Sequence, residues 1–561
     1  SSILSAAASA AAIVAWLAQR GDPMRTTAHV PFAYAGYHFT LTLLLDGAAA
    51  VFLALVQFIT SMVVRFSRFY LHREPGFRRF FATVLLFEGA MCLLALAGNI
   101  DLMFAGWELV GISSFLLIAF YRERQSAVRN ALKTYSVYRI ADIGMLLAAC
   151  LEGSGERSGY LIGLLLLLAA IGKSAQFPFS FWVARAMEGP TPSSALFYGA
   201  LSVHAGAYLL LRSFPLFAAI LTVRICIGAI GIVTAVTCSM FSSVQPTIKG
   251  QIGYASVTQV GIIFVEIALG LTHLALLHIV SNALVRCYQL LVSPSVVAHR
   301  LRRQATAGAA RAGANRSLYS RFVPERWWPT LYVFALSEGY LKDISKVLLW
   351  FPLRRLGAGL ERATTPVLGV GIASLLAALG GVGRVTPALE PGATVLLLAS
   401  AVAFSACGLT CWRRPARAVS WIAGSSLLAM TAAIVVAGND TRIATLLYGG
   451  SIAVACAFGY IGFSAAGSRR SPVTRFEGLW ERRPTAALVA FTGALGLAGA
   501  PLWPTFWGED LIVHSALGGH RAVAVVVACV LSANGYLAVR NFAYAFMGRS
   551  SSWRSLEATP R

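Results

Sequence analysis

Lys173 closes the apolar run Leu161–Gly172 and is followed at once by Ser-Ala-Gln-Phe-Pro178. A charge at membrane depth costs at least about 2.5–3.5 kcal/mol on insertion scales, so such residues face a bundle interior or an ion path. Pro178 removes a backbone donor and interrupts the helix, which is tolerated at that depth only beside protein or a water-lined cavity. A buried amine next to a broken helix is the sequence form of a proton-handling site. Lysine suits the task because burial readily lowers its proton affinity, whereas arginine stays charged. Of 46 basic residues only five are lysine: Lys133, Lys173, Lys249, Lys342 and Lys346. Genome composition accounts for that bias as readily as selection does. In either case Lys173 and Lys249, inside or beside apolar runs, are the lysines to follow.

The string Gly106-Trp-Glu108-Leu-Val-Gly places Glu108 inside another apolar helix. A carboxylate there requires a cationic partner or a retained proton. Lys173 is the natural partner. A Glu108–Lys173 couple would hold or release a proton according to the distance between its members, and a static buried ion pair is the competing reading. A second constellation runs from Ile248-Lys249-Gly-Gln-Ile-Gly-Tyr254 through Gln259 to Glu266, and the next span carries His273, His278, Asn282 and Arg286. Positions 278, 282 and 286 share one helix face. Such a stripe suggests a hydrated, proton-competent path with Lys249 and His278 both near mid-membrane. Arg286, which does not deprotonate, would stabilise anions or water along it.

The elements that must position these residues are membrane helices. The chain has 561 residues, is 57% hydrophobic with a mean hydropathy of +0.70, and only 12% of its residues are charged, against about 25% in soluble domains. Apolar runs of about 20 residues recur along it and predict an all-α integral membrane protein of about 13–16 transmembrane helices. Continuous Leu-, Ala-, Val- and Ile-rich runs exclude an outer-membrane barrel. The net charge of +23 does not imply nucleic-acid binding. Its basic residues cluster in short segments between spans, as retention on one side of a bilayer produces, with anionic headgroups or an acidic partner surface as counter-charges. The nine cysteines are scattered through apolar runs and form no metal-ligand spacing, so no zinc or iron–sulfur site is expected in this chain. Ile3–Leu17 is apolar but lacks a basic start, and reads as a first span or remnant of one rather than a signal peptide.

Three regions are expected: membrane spans over 1–297, a basic loop with a surface-lying amphipathic helix at Leu331–Leu360 over 298–362, and further spans with a short polar tail over 363–561. Two segments read as discontinuous helices. One is Leu161–Trp182, broken at Pro178; the other is Thr485–His514, broken around Pro501-Leu-Trp-Pro504, with Glu509 and Asp510 just beyond. Paired interrupted helices in two halves point to an inverted-repeat transporter core.

The strings Gly106-Trp-Glu108-Leu-Val-Gly, Gly172-Lys173-Ser-Ala-Gln-Phe-Pro, Ala186-Met-Glu188-Gly-Pro-Thr-Pro and Ile248-Lys249-Gly-Gln-Ile-Gly-Tyr-Ala-Ser resemble the antiporter-like subunits of the complex I superfamily. That group includes the proton-pumping L subunit of respiratory complex I and the large subunits of Mrp sodium/proton antiporters. Finer strings depart from the complex I pattern: Val137-Tyr-Arg139-Ile-Ala-Asp142, the run from Ser193 to His204, Arg286 where a buried lysine is usual, and Glu509-Asp510 where a lysine precedes the aspartate. Together these variants look like the L-like membrane subunit, DabB, of Dab inorganic-carbon transporters. The resemblance implies an antiporter-like fold and a proton path through Glu108, Lys173, Lys249, His278 and Glu509. Arg139, Asp142, Glu188, His204, Glu266, Asn282, Arg286 and Asp510 would support it. It implies no cofactor in this chain, and a large zinc-containing, carbonic-anhydrase-related DabA-like partner that hydrates CO2. The alternatives are complex I-type partner subunits around a redox-driven pump, or an Mrp-type cation/proton antiporter. The membrane would be a bacterial inner membrane, or else an organellar energy-transducing one.

Overall fold

The computed structural model describes residues 2–34, 37–153, 158–293, 325–347, 351–362, 390–411, 414–437, 442–467 and 476–548. Among them, 12 helices are long and apolar enough to cross a bilayer. Two shorter apolar helices belong to the broken segments and bring the crossings within the expected range.

The chain opens with α1 (Ser2–Ala18), none of whose residues is fully buried, followed by a β-hairpin. Strands β1 (Met24–Tyr34) and β2 (Tyr37–Leu45) pair antiparallel, Met24 opposite Leu45 and His29 opposite Thr40. The hairpin is a local addition to an otherwise helical membrane protein. Thr26, Thr27, Thr40 and Thr42 bring β-branched side chains to an extended backbone, and the hairpin is tied down from outside. Gly98 N donates to Thr42 O and Asn99 Nδ2 to Thr40 O, both at 2.7 Å.

The first half continues with α2 (Gly47–Tyr70), α3 (Phe77–Leu96), α4 (Ile100–Ile118) and α5 (Gln125–Gly153). Asp46 caps α2, its side chain accepting from Ala49 N at 2.9 Å. Then comes the first broken segment. Helix α6 (Gly159–Lys173) stops at Lys173, Ala175 takes a left-handed conformation (φ 52°), and after a 3₁₀ turn α7 (Val183–Ala186) resumes. The break therefore begins at the lysine, five residues before Pro178. Helix α8 (Thr191–Arg212) is irregular too, with a π-turn at Ala195–Ala200 and a 3₁₀ turn at Ser202–His204. Helices α9 (Leu221–Val244), α10 (Ile248–Ala268) and α11 (Thr272–Val292) complete this half.

The expected basic loop lies largely in 294–324, outside the described residues. The expected amphipathic helix is not one surface helix. It divides into α12 (Trp328–Leu336), α13 (Leu341–Ser345) and α14 (Phe351–Arg362). Three consecutive left-handed residues, Glu338, Gly339 and Tyr340, turn the chain between the first two. The turn drives Glu338 inward, where its carboxylate meets Arg185 of α7 at 2.6 Å. Glu338 is thus a buried ion-pair partner and not part of a polar surface face.

The second half comprises α15 (Glu390–Thr410), α16 (Pro415–Ala437), α17 (Arg442–Ala465), a second broken segment and α20 (Arg521–Phe546). In that segment α18 (Pro484–Leu497) gives way at 498–503 to α19 (Pro504–Gly519). The same order of elements thus occurs twice, as α4, α5, α6–α7, α8 and as α16, α17, α18–α19, α20. Helices α4 and α5 are 89% and 83% buried over their spans, against 33% for α9 and for α11. The first two are central, and the others face the surroundings. Helix α5 packs on α4 and α6 of its own half and on α19 and α20 of the other.

Candidate functional site

Lys173 is the last residue of α6, so its ammonium sits where the helix dipole favours a cation. It is fully buried, donates to Trp107 O at 2.9 Å, and stands 4.8 Å from the Trp107 ring and 4.4 Å from that of Tyr138. Its expected partner, Glu108, is taken by another cation. Arg139 of α5 reaches Glu108 Oε1 at 2.6 Å and lies 3.9 Å from Asp142 Oδ2. Asp142 in turn accepts the Trp107 indole N–H at 2.9 Å. Trp107 therefore links Lys173, held through its carbonyl, to Asp142, held through its ring. The couple is a network with Arg139 at its centre.

Glu509, on the second turn of α19, joins the same network from the other half. Arg139 is the charge that faces it. The carboxylate fills the space beside Gly499, which has φ 66° and where an added β-carbon would collide with it. Gly535 of α20 leaves room for the Arg139 guanidinium in the same way. Asp510 points elsewhere and accepts from Cys150 Sγ at 3.3 Å.

Five buried groups thus sense one another: Glu108, Asp142, Glu509, Arg139 and Lys173. With all of them ionised the cluster carries three negative and two positive charges. In a low-dielectric interior such an imbalance is relieved by a proton shared among the members, which titrate as a set.

A belt of hydroxyls leads away from Lys173. Tyr138, Ser114, Tyr198 and Ser202 lie together, yet none closes a hydrogen bond within the protein. Buried groups of this kind are completed by water. Beyond them His204 holds Ala200 O through Nδ1 at 2.6 Å and Asn282 through Nε2 at 2.9 Å. Asn282 Oδ1 accepts from Arg286 Nε at 3.2 Å. His278 turns away from these two and lies between Glu266 at 2.8 Å and Gln259 at 3.0 Å. His204 and the π-turn residue Tyr198 owe their positions to the irregular part of α8, and π-turns mark functional stretches of helices.

Lys249 does not sit at mid-membrane. It is the second residue of α10 and donates to Gly189 O at 3.3 Å, while Glu188 beside it accepts from Asn130 at 3.1 Å. Glu266, the partner of His278, lies 17 residues further along the same helix, a rise of about 26 Å. Lys249 and His278 therefore mark opposite ends of α10. Arg286, Asn282, Ser256 and His204 occupy the distance between them.

Two broken helices and a row of buried charges through a helical bundle define a polytopic membrane protein. The chain matches the family described as NADH:quinone oxidoreductase/Mrp antiporter, transmembrane region, over residues 97–310 and 393–533, and belongs to it. It also matches the N-terminal region of complex I chain 5 over residues 32–81. NADH-ubiquinone oxidoreductase chain 5 of Pseudosoriculus fumidus is 36% identical over 271 residues, covering 46% of this chain and 45% of that protein. The Halichoerus grypus chain 5 is 36% identical over 276 residues, covering 46% and 44%. The chain thus spans less than half the length of these curated relatives. The structure of an Mrp complex from Dietzia sp. DQ12-45-1b aligns with a TM-score of 0.46 at 19% identity, over 89% of this chain and 72% of that one. The fold is antiporter-like and the protein is integral to a membrane.

Proposed function

We propose that the chain is a proton-conducting, antiporter-like subunit working inside a larger membrane assembly. The five-group cluster carries this reading, because its charges do not balance and both broken helices contribute to it. Lys173 gives and takes the proton. Arg139 stays charged and holds Glu108, Asp142 and Glu509 around itself. Water along the Tyr138–Ser202 belt connects Lys173 to His204 and onward to the α10–α11 polar ladder.

The form of the proposal with most support is an L-type subunit of a complex I-like oxidoreductase or an Mrp-type antiporter subunit, since the relatives are chain 5 proteins. A second form, energising a zinc-containing DabA-like partner in inorganic-carbon uptake, draws on Glu509 and Arg286, which stand where the complex I pattern has lysines. Purification of the tagged chain from its own membranes in a mild detergent separates the two. Co-purifying redox subunits or further antiporter-like chains support the first form, and a large zinc protein the second. A chain that purifies alone and conducts at its full cellular rate contradicts both.

A further inference from the structure

Lys133, one of only five lysines in the chain, belongs to none of the groups above. It lies half-buried in the third turn of α5, and its ammonium donates to the neutral Asn130 Oδ1 at 3.4 Å. Four other cations act on it: Arg185, Lys342, Arg129 and Lys346. Two acids reach this group, and each holds one of its members: Glu338 meets Arg185 at 2.6 Å and Asp343 meets Lys346 at 2.8 Å. Lys249 and Glu188 adjoin it through Asn130 and offset each other in charge. Among the described residues, five cations against two acids leave three positive charges in excess around one half-buried ammonium. Like charges gathered away from bulk water repel, so the arrangement favours an anion.

What adjoins these cations sets the class of anion. Lys342 is in α13 and Lys346 just beyond it. The pair α12–α13 lies on α9, one of the helices least buried in the bundle, with the Phe334 and Phe241 ring centroids 6.1 Å apart. Ala335, Glu338 and Leu341 are turned inward, whereas Tyr332, Val333, Leu336, Tyr340, Ile344 and Val347 are 49–57% exposed. Outward aromatic and aliphatic side chains with lysines beside them suit the membrane–water boundary, where the apolar groups enter the acyl region and the amines reach headgroups. Lys133 fits that depth. It is about 12 Å from the start of a helix about 43 Å long, which exceeds the roughly 30 Å of hydrocarbon. A free inorganic anion would use the cations and leave the apolar row bare. An anionic phospholipid uses both, its phosphate among the amines and its acyl chains along the row.

We propose that Lys133, Lys342 and the cations beside them bind the phosphate of one anionic phospholipid whose acyl chains lie against α12 and α13. The probe is phosphatidylglycerol labelled in its tail, titrated into the intact protein in a neutral detergent, with tail-labelled phosphatidylcholine as the zwitterionic reference. Saturable binding is expected, tighter for phosphatidylglycerol by about tenfold or more. Lys133→Gln and Lys342→Gln should each weaken it about fivefold, the worth of one basic residue near a membrane surface. The double variant Leu336→Asn with Ile344→Asn should weaken it too. Arg25→Gln removes an exposed cation from the hairpin, which docks at the opposite end of the bundle beside the start of α4, and should leave binding whole. Inorganic phosphate should displace the lipid no better than chloride at equal ionic strength. Should Lys133→Gln fail to fold, Lys342→Gln decides alone. The proposal is overturned by equal affinity for the two lipids, which would leave an acidic partner subunit as the counter-charge. It is also overturned by an affinity unaltered in Lys342→Gln, or lowered as much by Arg25→Gln. Displacement by inorganic phosphate, or indifference to the Leu336/Ile344 double variant, overturns it in favour of a free-anion site.

Discussion

Lys173→Ala should abolish energised transport while the chain still inserts and assembles. The expected fall is at least about 100-fold, the lower end of what a positioned proton-transfer group contributes. Lys173 is the one basic member of the cluster able to deprotonate, since Arg139 keeps its charge. Its ammonium is held by the Trp107 carbonyl at 2.9 Å and by the rings of Trp107 and Tyr138, and alanine supplies none of this. Without it the remaining groups, Glu108, Asp142, Glu509 and Arg139, hold an excess of acid that retains protons and does not pass them on. Lys173→Arg should fail as well, although it restores the charge, because a guanidinium does not release a proton and does not fit the ammonium's place beside the Gly111 backbone. Transport in native membranes, normalised to assembled protein, is the measurement. Near-normal transport by either variant removes Lys173 from the path.

Glu509→Gln should reduce transport by about tenfold or more, and Glu509→Lys should not restore it. The amide variant leaves Glu108 and Asp142 against Arg139 and Lys173, a balanced set with no imbalance to hold a mobile proton. The lysine variant is worse. It sets a third cation beside Arg139, which already faces position 509, and like charges in a low-dielectric interior repel strongly. It also forces a longer side chain into the space that Gly499 leaves for a carboxylate. Glu509→Asp, which keeps the charge at a shorter reach, should retain more transport than either. A fully active Glu509→Lys protein in the assembled complex would show that the position accepts either sign of charge, and would remove Glu509 from the cluster's charge balance.

Much of this arrangement is legible in the sequence, for physical reasons that differ by residue. Lys173 and Glu108 stand out because a charge in an apolar run has few explanations. Pro178 and the Pro501–Pro504 string announce breaks because proline cannot continue the hydrogen-bond ladder. Arg139 was visible as a charge three residues before Asp142, but its reach to Glu108 on another helix is a matter of packing that spacing does not encode. The separation of Lys249 from His278 was hidden differently. Residues 278, 282 and 286 do share a face of α11, yet a face faces more than one neighbour: His278 meets α10, whereas Asn282 meets His204 of α8. The hydroxyl belt was missed because Tyr138, Tyr198, Ser114 and Ser202 read as ordinary core residues until their lack of partners is seen. The hairpin is not legible in the sequence, because a few threonines beside long apolar stretches look like a loop between spans.

The central claim is that the buried cluster conducts protons, and the flux of protons across a sealed membrane tests it most directly. The intact assembly is reconstituted into liposomes loaded with a pH-sensitive dye, and a potassium diffusion potential drives protons inward. Acidification by the wild-type assembly should exceed that of empty liposomes, and should fall to their level when Lys173→Ala replaces the wild-type chain at equal protein content. Acidification unchanged by Lys173→Ala would contradict the account, since protons would then cross by a route that does not pass through the cluster.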